Sequence, residues 1–193
     1  MAGITLDFVT PDWESQDWAC VFYPDDLPDA WRLAYYSNEF PSVLLPASRW
    51  MSMAEAEWEE WRSDTPEGFR IYLELPAQQR APMVPYRVRE LLAGRLTGGL
   101  AREPVQAEAL PAASGVPLYR LMGDSSPDGL AGFLPAVSPL DSGARDLRAT
   151  QAWLADLSRR FGGGPVLVVL DGGTADAEVM RRWWQLAWLM GLA

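Results

Sequence analysis

Four carboxylates stand where the sequence could support catalysis or metal binding. Asp12, Glu74, Asp124 and Asp171 each fall at or just beyond the C-terminal end of a predicted strand. Carboxylates that meet at one edge of a parallel sheet can bind Mg²⁺ or act as an acid–base pair. No motif spacing links these four, however, and acidic residues are also common in such loops as helix caps and turn residues. We expect no metal site and no catalytic residue here, with Asp12, Glu74 and Asp171 as the candidates if one exists.

A glycine pair near the C-terminus forms the clearest loop motif. The segment LVVLDGGTADAE leads from an apolar strand through Gly172 and Gly173 to Thr174, where a predicted helix begins. Backbone N–H groups at such a point can hold an anion, so these three are the predicted ligand-binding residues. Asp171 and Asp176 would repel that anion, and a turn followed by a helix cap is the plainer interpretation.

Missing residue types exclude most familiar catalytic machinery. The chain of 193 residues has no histidine and no lysine, so all 16 of its cations are arginine, and Cys20 is its single cysteine. These absences exclude Ser-His-Asp and Cys-His triads, histidine metal ligands, the P-loop lysine and Schiff-base chemistry. One cysteine also excludes an internal disulfide and thiolate-rich metal sites. We expect no cofactor, and the balance of evidence is against an enzyme.

The charge is acidic and unevenly distributed. The chain carries 26 acids and 16 arginines, a net charge of −10, and residues 1–68 hold fourteen of the acids but three of the arginines. Such a field repels nucleic-acid phosphates and anionic lipid, and it favours solubility or a basic partner. No apolar stretch approaches the ~20 residues that span a bilayer, and no targeting segment is visible. The sequence therefore predicts a cytoplasmic protein that binds neither nucleic acid nor membrane.

Apolar periodicity alternates between strand and helix, which is typical of a mostly parallel sheet. Five segments have the character of strands: 4–9, 41–47, 69–76, 117–123 and 165–170. Five have the periodicity of helices: 26–40, 52–66, 85–96, 144–161 and 174–191. Ser52 is the predicted N-cap of the second helix, and the pair Gly98-Gly99 is the predicted stop after the third. We predict a loop over 124–143 and a single domain over 1–193.

An aromatic pattern runs through the segment WESQDWACVFYPDDLPDAWRLAYYSNEF. It contains two tryptophans, then Phe-Tyr-Pro, a Leu-Pro helix start and a tyrosine-rich helix: Trp13, Trp18, Phe22, Tyr23, Pro24, Leu27, Pro28, Tyr35, Tyr36 and Phe40. This arrangement resembles the opening of the YecE-like family, catalogued as domain of unknown function 72. The later segments DTPEGFRIYLELP, PLYRLMG and VLVVLDGG also resemble passages of that family.

The resemblance implies a (β/α) barrel of the TIM type, with its site at the C-terminal ends of the strands. A complete barrel needs about 250 residues and eight βα units. Residues 77–116 form a shortened middle segment that offers 40 positions where several units should lie. We therefore predict an α/β fold, an incomplete or shortened TIM-type barrel with mostly parallel strands and two open sheet edges.

The polar positions of the family site are mostly replaced in this chain. The family's Gly-Thr-Ser-Gly-Trp corresponds to residues 9–13, without either glycine, and its Val-Glu-Ile-Asn corresponds to 43–46, without Glu or Asn. The family's strand-end lysine and histidine correspond to Glu74 and Met122, and Arg120 is the retained polar position. The resemblance thus implies a scaffold that has lost its ancestral site.

These observations favour a non-catalytic barrel that acts as a binding or protein-interaction module. One alternative is a metal-assisted hydrolase that uses Asp12, Glu74 and Asp171 with Arg120 as an anion clamp. The other is a binder of a small anion at residues 172–174.

A protein partner or a second copy of the chain is expected at the tryptophan-rich C-terminal helix. Aromatic residues and arginine are enriched in interface cores, and residues 176–190 supply both. Residues 77–116 are the second predicted location for a homodimer interface.

Overall fold

Seven parallel strands form one sheet in the computed structural model, which describes residues 3–14, 22–76, 85–102, 115–122, 132–139, 146–171 and 176–193. The strands are β1 (Ile4–Val9), β2 (Ser42–Leu45), β3 (Arg70–Glu74), β4 (Leu96–Ala101), β5 (Leu118–Met122), β6 (Leu134–Val137) and β7 (Gly164–Val169). Their order, β1-β7-β6-β5-β4-β3-β2, pairs strands that follow one another in sequence and pairs β7 with β1. The predicted α/β fold, a shortened TIM-type barrel, is confirmed.

The two ends of this sheet meet just beyond β1. The Leu44 N–H donates to the Thr10 carbonyl at 3.1 Å, and the Asp12 N–H donates to the Leu44 carbonyl at 2.8 Å. These bonds form a short parallel bridge between Pro11 and Leu44. The sheet is therefore nearly closed: at this one point the residues after β1 pair with Leu44 of β2, so the two predicted sheet edges are joined there.

Helices follow the strands and cover the outside of the sheet. A 3-10 turn (Asp29–Trp31) precedes the six helices of the described residues: α1 (Arg32–Glu39), α2 (Ala47–Trp50), α3 (Glu55–Asp64), α4 (Tyr86–Leu91), α5 (Leu147–Phe161) and α6 (Ala177–Leu189). The predicted cap of α3 is wrong. The Ser52 hydroxyl donates to the Arg49 carbonyl, and the helix begins where Glu57 accepts the Ala54 N–H at 2.7 Å.

Two strands were not expected from the sequence. Residues 77–116 contain α4 and β4, and the predicted loop 124–143 contains β6. Gly98 is therefore a strand residue and not a helix stop. A Cβ at Gly98 would lie 2.8 Å from Tyr119 Cε2 and 2.9 Å from the Pro117 carbonyl oxygen, so only glycine lets β5 approach this closely.

Apolar side chains fill the middle of the barrel. Every strand contributes at least one buried residue to this interior cluster: Val9, Leu44, Tyr72, Leu100, Tyr119, Ala136, Leu167 and Val169. A larger cluster between the sheet and the helices includes the rings of Trp13, Trp58 and Trp183. Because successive strand residues alternate between the two clusters, the short apolar strands are buried on both faces, as in other parallel barrels.

An ion pair lies inside the barrel, below this apolar layer. The Asp7 carboxylate accepts hydrogen bonds from Arg70 Nε at 2.6 Å, Arg70 Nη2 at 2.8 Å and the Tyr72 hydroxyl at 2.7 Å. The Ser42 hydroxyl lies 2.8 Å from the same carboxylate. Four strand side chains thus form one network across β1, β2 and β3.

Candidate functional site

Three strand-end side chains form an ion-pair bridge across the C-terminal mouth of the barrel. Arg102, which follows β4, donates through Nε to Glu74 at 2.9 Å and through Nη1 to Asp171 at 2.6 Å. Glu74 ends β3 and Asp171 follows β7, so the guanidinium spans the mouth from one side to the other. The Ser138 hydroxyl, beyond β6, donates to the second oxygen of Asp171 at 2.9 Å. We refer to Glu74, Arg102 and Asp171 as the mouth bridge.

The mouth bridge is partly shielded from solvent and rests on the apolar interior. The side chains of Arg102, Glu74 and Asp171 are 30%, 24% and 31% exposed. Partial burial acts to lower the pKa of Arg102, but hydrogen bonds and charges from Asp171 and Glu74 outweigh it and raise that pKa. The guanidinium is therefore a permanent cation between the two carboxylates, at the place that a cation shared by both would take.

Asp12 lies in a separate cluster, on the loop after β1. Its carboxylate accepts the Trp13 N–H at 2.6 Å and Arg49 Nη1 at 2.6 and 2.7 Å. Asp12 has a φ of 62°, in the left-handed region that Asp tolerates better than most residues. Its carboxylate thus fixes the backbone of a tight loop.

Arg49 connects this loop to α2 and stacks against tryptophan. Its guanidinium carbon lies 4.2 Å from the ring centre of Trp13 and 5.1 Å from that of Trp61, while Nη1 also lies 3.0 Å from Glu14. Burial acts to lower the pKa of Arg49, and the hydrogen bonds and charges of Asp12 and Glu14 raise it overall. We refer to Trp13, Trp61 and Arg49, together with Asp12 and Glu14, as the Arg49 cluster.

The structure brings together two of the sequence-predicted candidates, Glu74 and Asp171, and keeps Asp12 apart from them. Arg120 lies between Tyr119 and Leu121, which contact the interior cluster, so strand alternation places it on the helix side of β5. Its predicted role as an anion clamp remains a prediction. Asp124 and the predicted anion site Gly172, Gly173 and Thr174 lie outside the described residues.

Three polar site residues were not identified from the sequence: Arg49, Arg102 and Ser138. Arg102 could have been found by reading LTGGLA as a strand, because the next residue then falls at a strand end. Within the described ranges, no group of three acidic or cysteine side chains is arranged to hold a metal ion. The strand-end carboxylates are instead held by arginine.

The nearly closed parallel sheet, its apolar filling and its strand-end polar residues define a TIM-type barrel, with seven strands in the part of the chain that the structure describes. The chain matches the family model "Protein of unknown function DUF72" over residues 8–79. This is the YecE-like family that the aromatic pattern indicated, and over these residues the chain is similar to it. No curated protein matches the sequence.

Solved structures of DUF72 family proteins have a fold similar to that of this chain. A DUF72 family protein from Enterococcus faecalis matches with a TM-score of 0.58 and 9% identity, over 98% of this chain and 96% of that chain. A DUF72 family protein from Thermotoga maritima matches with a TM-score of 0.50 and 12% identity, over 97% and 99%. At these identities the structures establish the fold. No helix within the described ranges is long and apolar enough to cross a membrane.

Proposed function

We propose that this chain is a non-catalytic DUF72 barrel that acts as a binding or protein-interaction module. The observation that supports this proposal is the mouth bridge. Glu74 and Asp171, at the strand ends where a TIM barrel places its chemistry, both contact Arg102, and apolar side chains fill the space beneath. Because the single cysteine suits a reducing compartment, we assign this role to the cytoplasm.

The hydrolase alternative requires a divalent cation to displace the guanidinium of Arg102. We expect Mn²⁺ or Mg²⁺ at about 1 mM to leave the melting temperature of the wild-type protein unchanged, because the carboxylates are already paired. We expect Arg102→Gln to lower the free energy of unfolding by about 1–2 kcal/mol, since it removes two partly exposed charged hydrogen bonds. Differential scanning calorimetry with and without each cation measures both effects.

Two results would favour the hydrolase instead. The first is a cation-dependent rise in the wild-type melting temperature that Asp171→Asn abolishes. The second is cation-dependent cleavage of a phosphate or glycosidic substrate that the same variant abolishes. Asp156→Asn is the matched control, because Asp156 lies on α5, outside the mouth bridge, and pairs with Arg159 and Arg160 of the same helix.

The outer face of α6 is the surface through which we propose that the chain binds a second copy. Trp183 is buried on the inner face, where its ring contacts Trp153, while Trp184, Trp188 and Leu189 are 37%, 61% and 74% exposed. Exposed rings grouped on one helix face are typical of an interaction surface. The proposal of a second copy therefore rests on this helix face.

The local charge favours self-association through α6 over self-association through other surfaces of the chain. Two acidic chains repel each other, but residues 176–193 contain two acids and two arginines and are therefore neutral. All four have local partners: Arg182 pairs with Glu178, Arg181 pairs with Glu39 of α1, and Asp176 accepts the Glu178 and Val179 N–H groups. Association there brings no net charge into contact.

Replacing the exposed apolar side chains of α6 should abolish the proposed dimer. We expect wild-type protein at micromolar concentration to have a dimer mass by light scattering. We expect Trp188→Glu with Leu189→Glu to have a monomer mass and an unchanged circular dichroism spectrum. Trp31→Glu is the matched control, since Trp31 is 65% exposed on a different segment and should remain dimeric. A monomer mass for the wild type would contradict the proposed interface.

A further inference from the structure

A small acidic cleft opens beside the Arg49 cluster. Its volume is about 150 Å³, and it lies between the loop after β1, the start of α1, α2 and the end of α3. Trp13, Trp61 and Arg49 form part of its lining, together with the carboxylates of Glu14, Asp29, Glu60 and Asp64. All of them belong to residues 1–68, which carry the excess negative charge of the chain.

The arginines nearby neutralise only part of the acidic charge. Arg49 pairs with Asp12 and Glu14, and Arg32 pairs with Asp29 at 2.8 Å. Among the described residues, no arginine forms an ion pair with Glu60 or Asp64. Counting Asp12, five acids therefore face two arginines, and the local charge is −3. A cation entering the cleft would be attracted by these acids.

The aromatic wall already holds one guanidinium of the chain itself. Trp13 and Trp61 meet edge to face with their ring centres 4.5 Å apart, and Arg49 stacks beside both of them. Trp61 is only half-buried. Because Glu60 and Asp64 line the same cleft, it combines an aromatic side chain with carboxylates, which is the combination that binds guanidinium and ammonium groups.

The size of the cleft limits what can enter it. A volume of about 150 Å³ is well below the ~300 Å³ at which sites for drug-sized molecules begin. It suffices for the end of one long side chain. The rest of the ligand would lie across the acidic surface that surrounds the cleft, which suits an extended polypeptide with several cations.

We infer that this cleft is a docking site for an arginine-rich segment of a partner protein, with one guanidinium seated against Trp61 between Glu60 and Asp64. The inference rests on the proposed binding function and names the chemistry of its partner. It uses a surface different from the proposed dimer face of α6.

The direct test measures binding of a fluorescein-labelled peptide of alternating glycine and arginine by fluorescence anisotropy. We expect saturable binding at physiological salt that weakens as salt rises, because the contacts are ionic. We expect Glu60→Gln with Asp64→Asn to weaken binding about tenfold. Both side chains are exposed, so the fold should tolerate the change.

The matched control removes the same number of negative charges at positions outside the cleft. Glu59 and Glu67 are exposed, lie in the same acidic half and do not line the cleft. Glu59→Gln with Glu67→Gln should leave peptide affinity within about twofold of wild type. Equal weakening by both double variants would overturn the inference, because the peptide would then bind the acidic surface diffusely.

Two further outcomes would also overturn it. One is the absence of peptide binding at physiological salt. The other is tight binding of spermidine with no binding of the peptide, which would make the ligand a free polyamine. Neither outcome affects the proposed dimer of α6 or the cation test at the mouth, so failure of this inference and failure of the proposed function are distinguishable.

Discussion

Above pH 10 the protein is expected to lose stability steeply and to unfold cooperatively, with its buried tyrosines ionising in the same transition. Tyr36 and Tyr72 are 0% and 2% exposed. Burial is the main cause that raises the pKa of each phenol well above the ordinary value, and the charge of Asp7 adds to the effect at Tyr72. Each hydroxyl also donates a hydrogen bond, to the Ser42 carbonyl and to Asp7 respectively.

The direction of the change in stability with pH follows from proton linkage. Below about pH 10 both phenols are protonated in the folded and unfolded states, so the stabilisation is complete. Above that value the unfolded state releases protons that the folded state retains, and stability falls until the folded-state pKa is reached. Each phenol contributes a slope of about 1.4 kcal/mol per pH unit, so two cost about 5 kcal/mol between pH 10 and 12. That is a large share of the 5–15 kcal/mol that stabilises a typical domain.

Urea unfolding at pH 8, 10 and 11, with tyrosinate absorbance near 295 nm, measures this loss. The chain has no lysine, so the groups that titrate between about pH 9 and 12 are its six tyrosines, with Cys20 just below that range. In Tyr36→Phe the slope above pH 10 should be smaller by about 1.4 kcal/mol per pH unit, although the variant is less stable at pH 8. Tyrosine ionisation of all rings near pH 10 with no change in circular dichroism would contradict the prediction.

The parallel sheet and most of its helices could be predicted because their sequences are locally consistent. Strands such as 165–170 are apolar on both faces, and α5 and α6 have the periodicity of helices with one buried face. Asp146 and Asp176 accept N–H groups at the starts of these two helices, as side-chain caps should. The secondary structure of such segments is determined largely by their own sequence pattern.

The strands that could not be predicted depend on their neighbours. The sequence LTGGLA contains two glycines, which are poor strand formers, and they are tolerated because Tyr119 and Leu118 of β5 occupy the space beside them. The strand β6 contains Pro135, which cannot donate to a neighbouring strand, and spans only Leu134–Val137. Local propensity gives no signal for either one.

The candidate site was only partly predictable for the same reason. Glu74 and Asp171 could be placed at strand ends, but their partner Arg102 follows the strand that was missed. Asp12 could be placed after β1. Its partner Arg49 lies on the short helix α2, which the sequence pattern does not predict. A pattern identifies which carboxylates sit at strand ends, whereas the tertiary structure determines which arginines neutralise them.

Removing the Asp7 carboxylate should produce a larger loss of stability than removing an exposed charged side chain. The side chain of Asp7 is 15% exposed and accepts three hydrogen bonds from Arg70 and Tyr72. Its hydrogen bonds are also the main cause that raises the pKa of Arg70. In Asp7→Ala the Arg70 guanidinium and the Tyr72 hydroxyl lose their acceptor and stay in the barrel interior.

We expect Asp7→Ala to lower the free energy of unfolding by about 3 kcal/mol, as measured by urea denaturation at pH 7. Breaking one side of a buried ion pair costs about 3–5 kcal/mol, and the lower figure applies because the Arg70 side chain is 39% exposed. Glu55→Ala is the matched control. Glu55 also makes two hydrogen bonds to one arginine, Arg87, but both side chains are more than half exposed, so little change is expected.

A double variant separates the worth of the ion pair from the cost of leaving one charge behind. In Asp7→Leu with Arg70→Met, both charges are replaced by apolar groups, so the unpaired guanidinium is no longer present. We expect this variant to be more stable than Asp7→Ala by about 1–2 kcal/mol, since well-packed apolar replacements of buried ion pairs are often neutral. If Asp7→Ala costs no more than Glu55→Ala, water reaches the lower barrel freely and the network does not stabilise the fold. If instead the double variant is the less stable of the two, the ion pair itself stabilises the ring where β1, β2 and β3 meet.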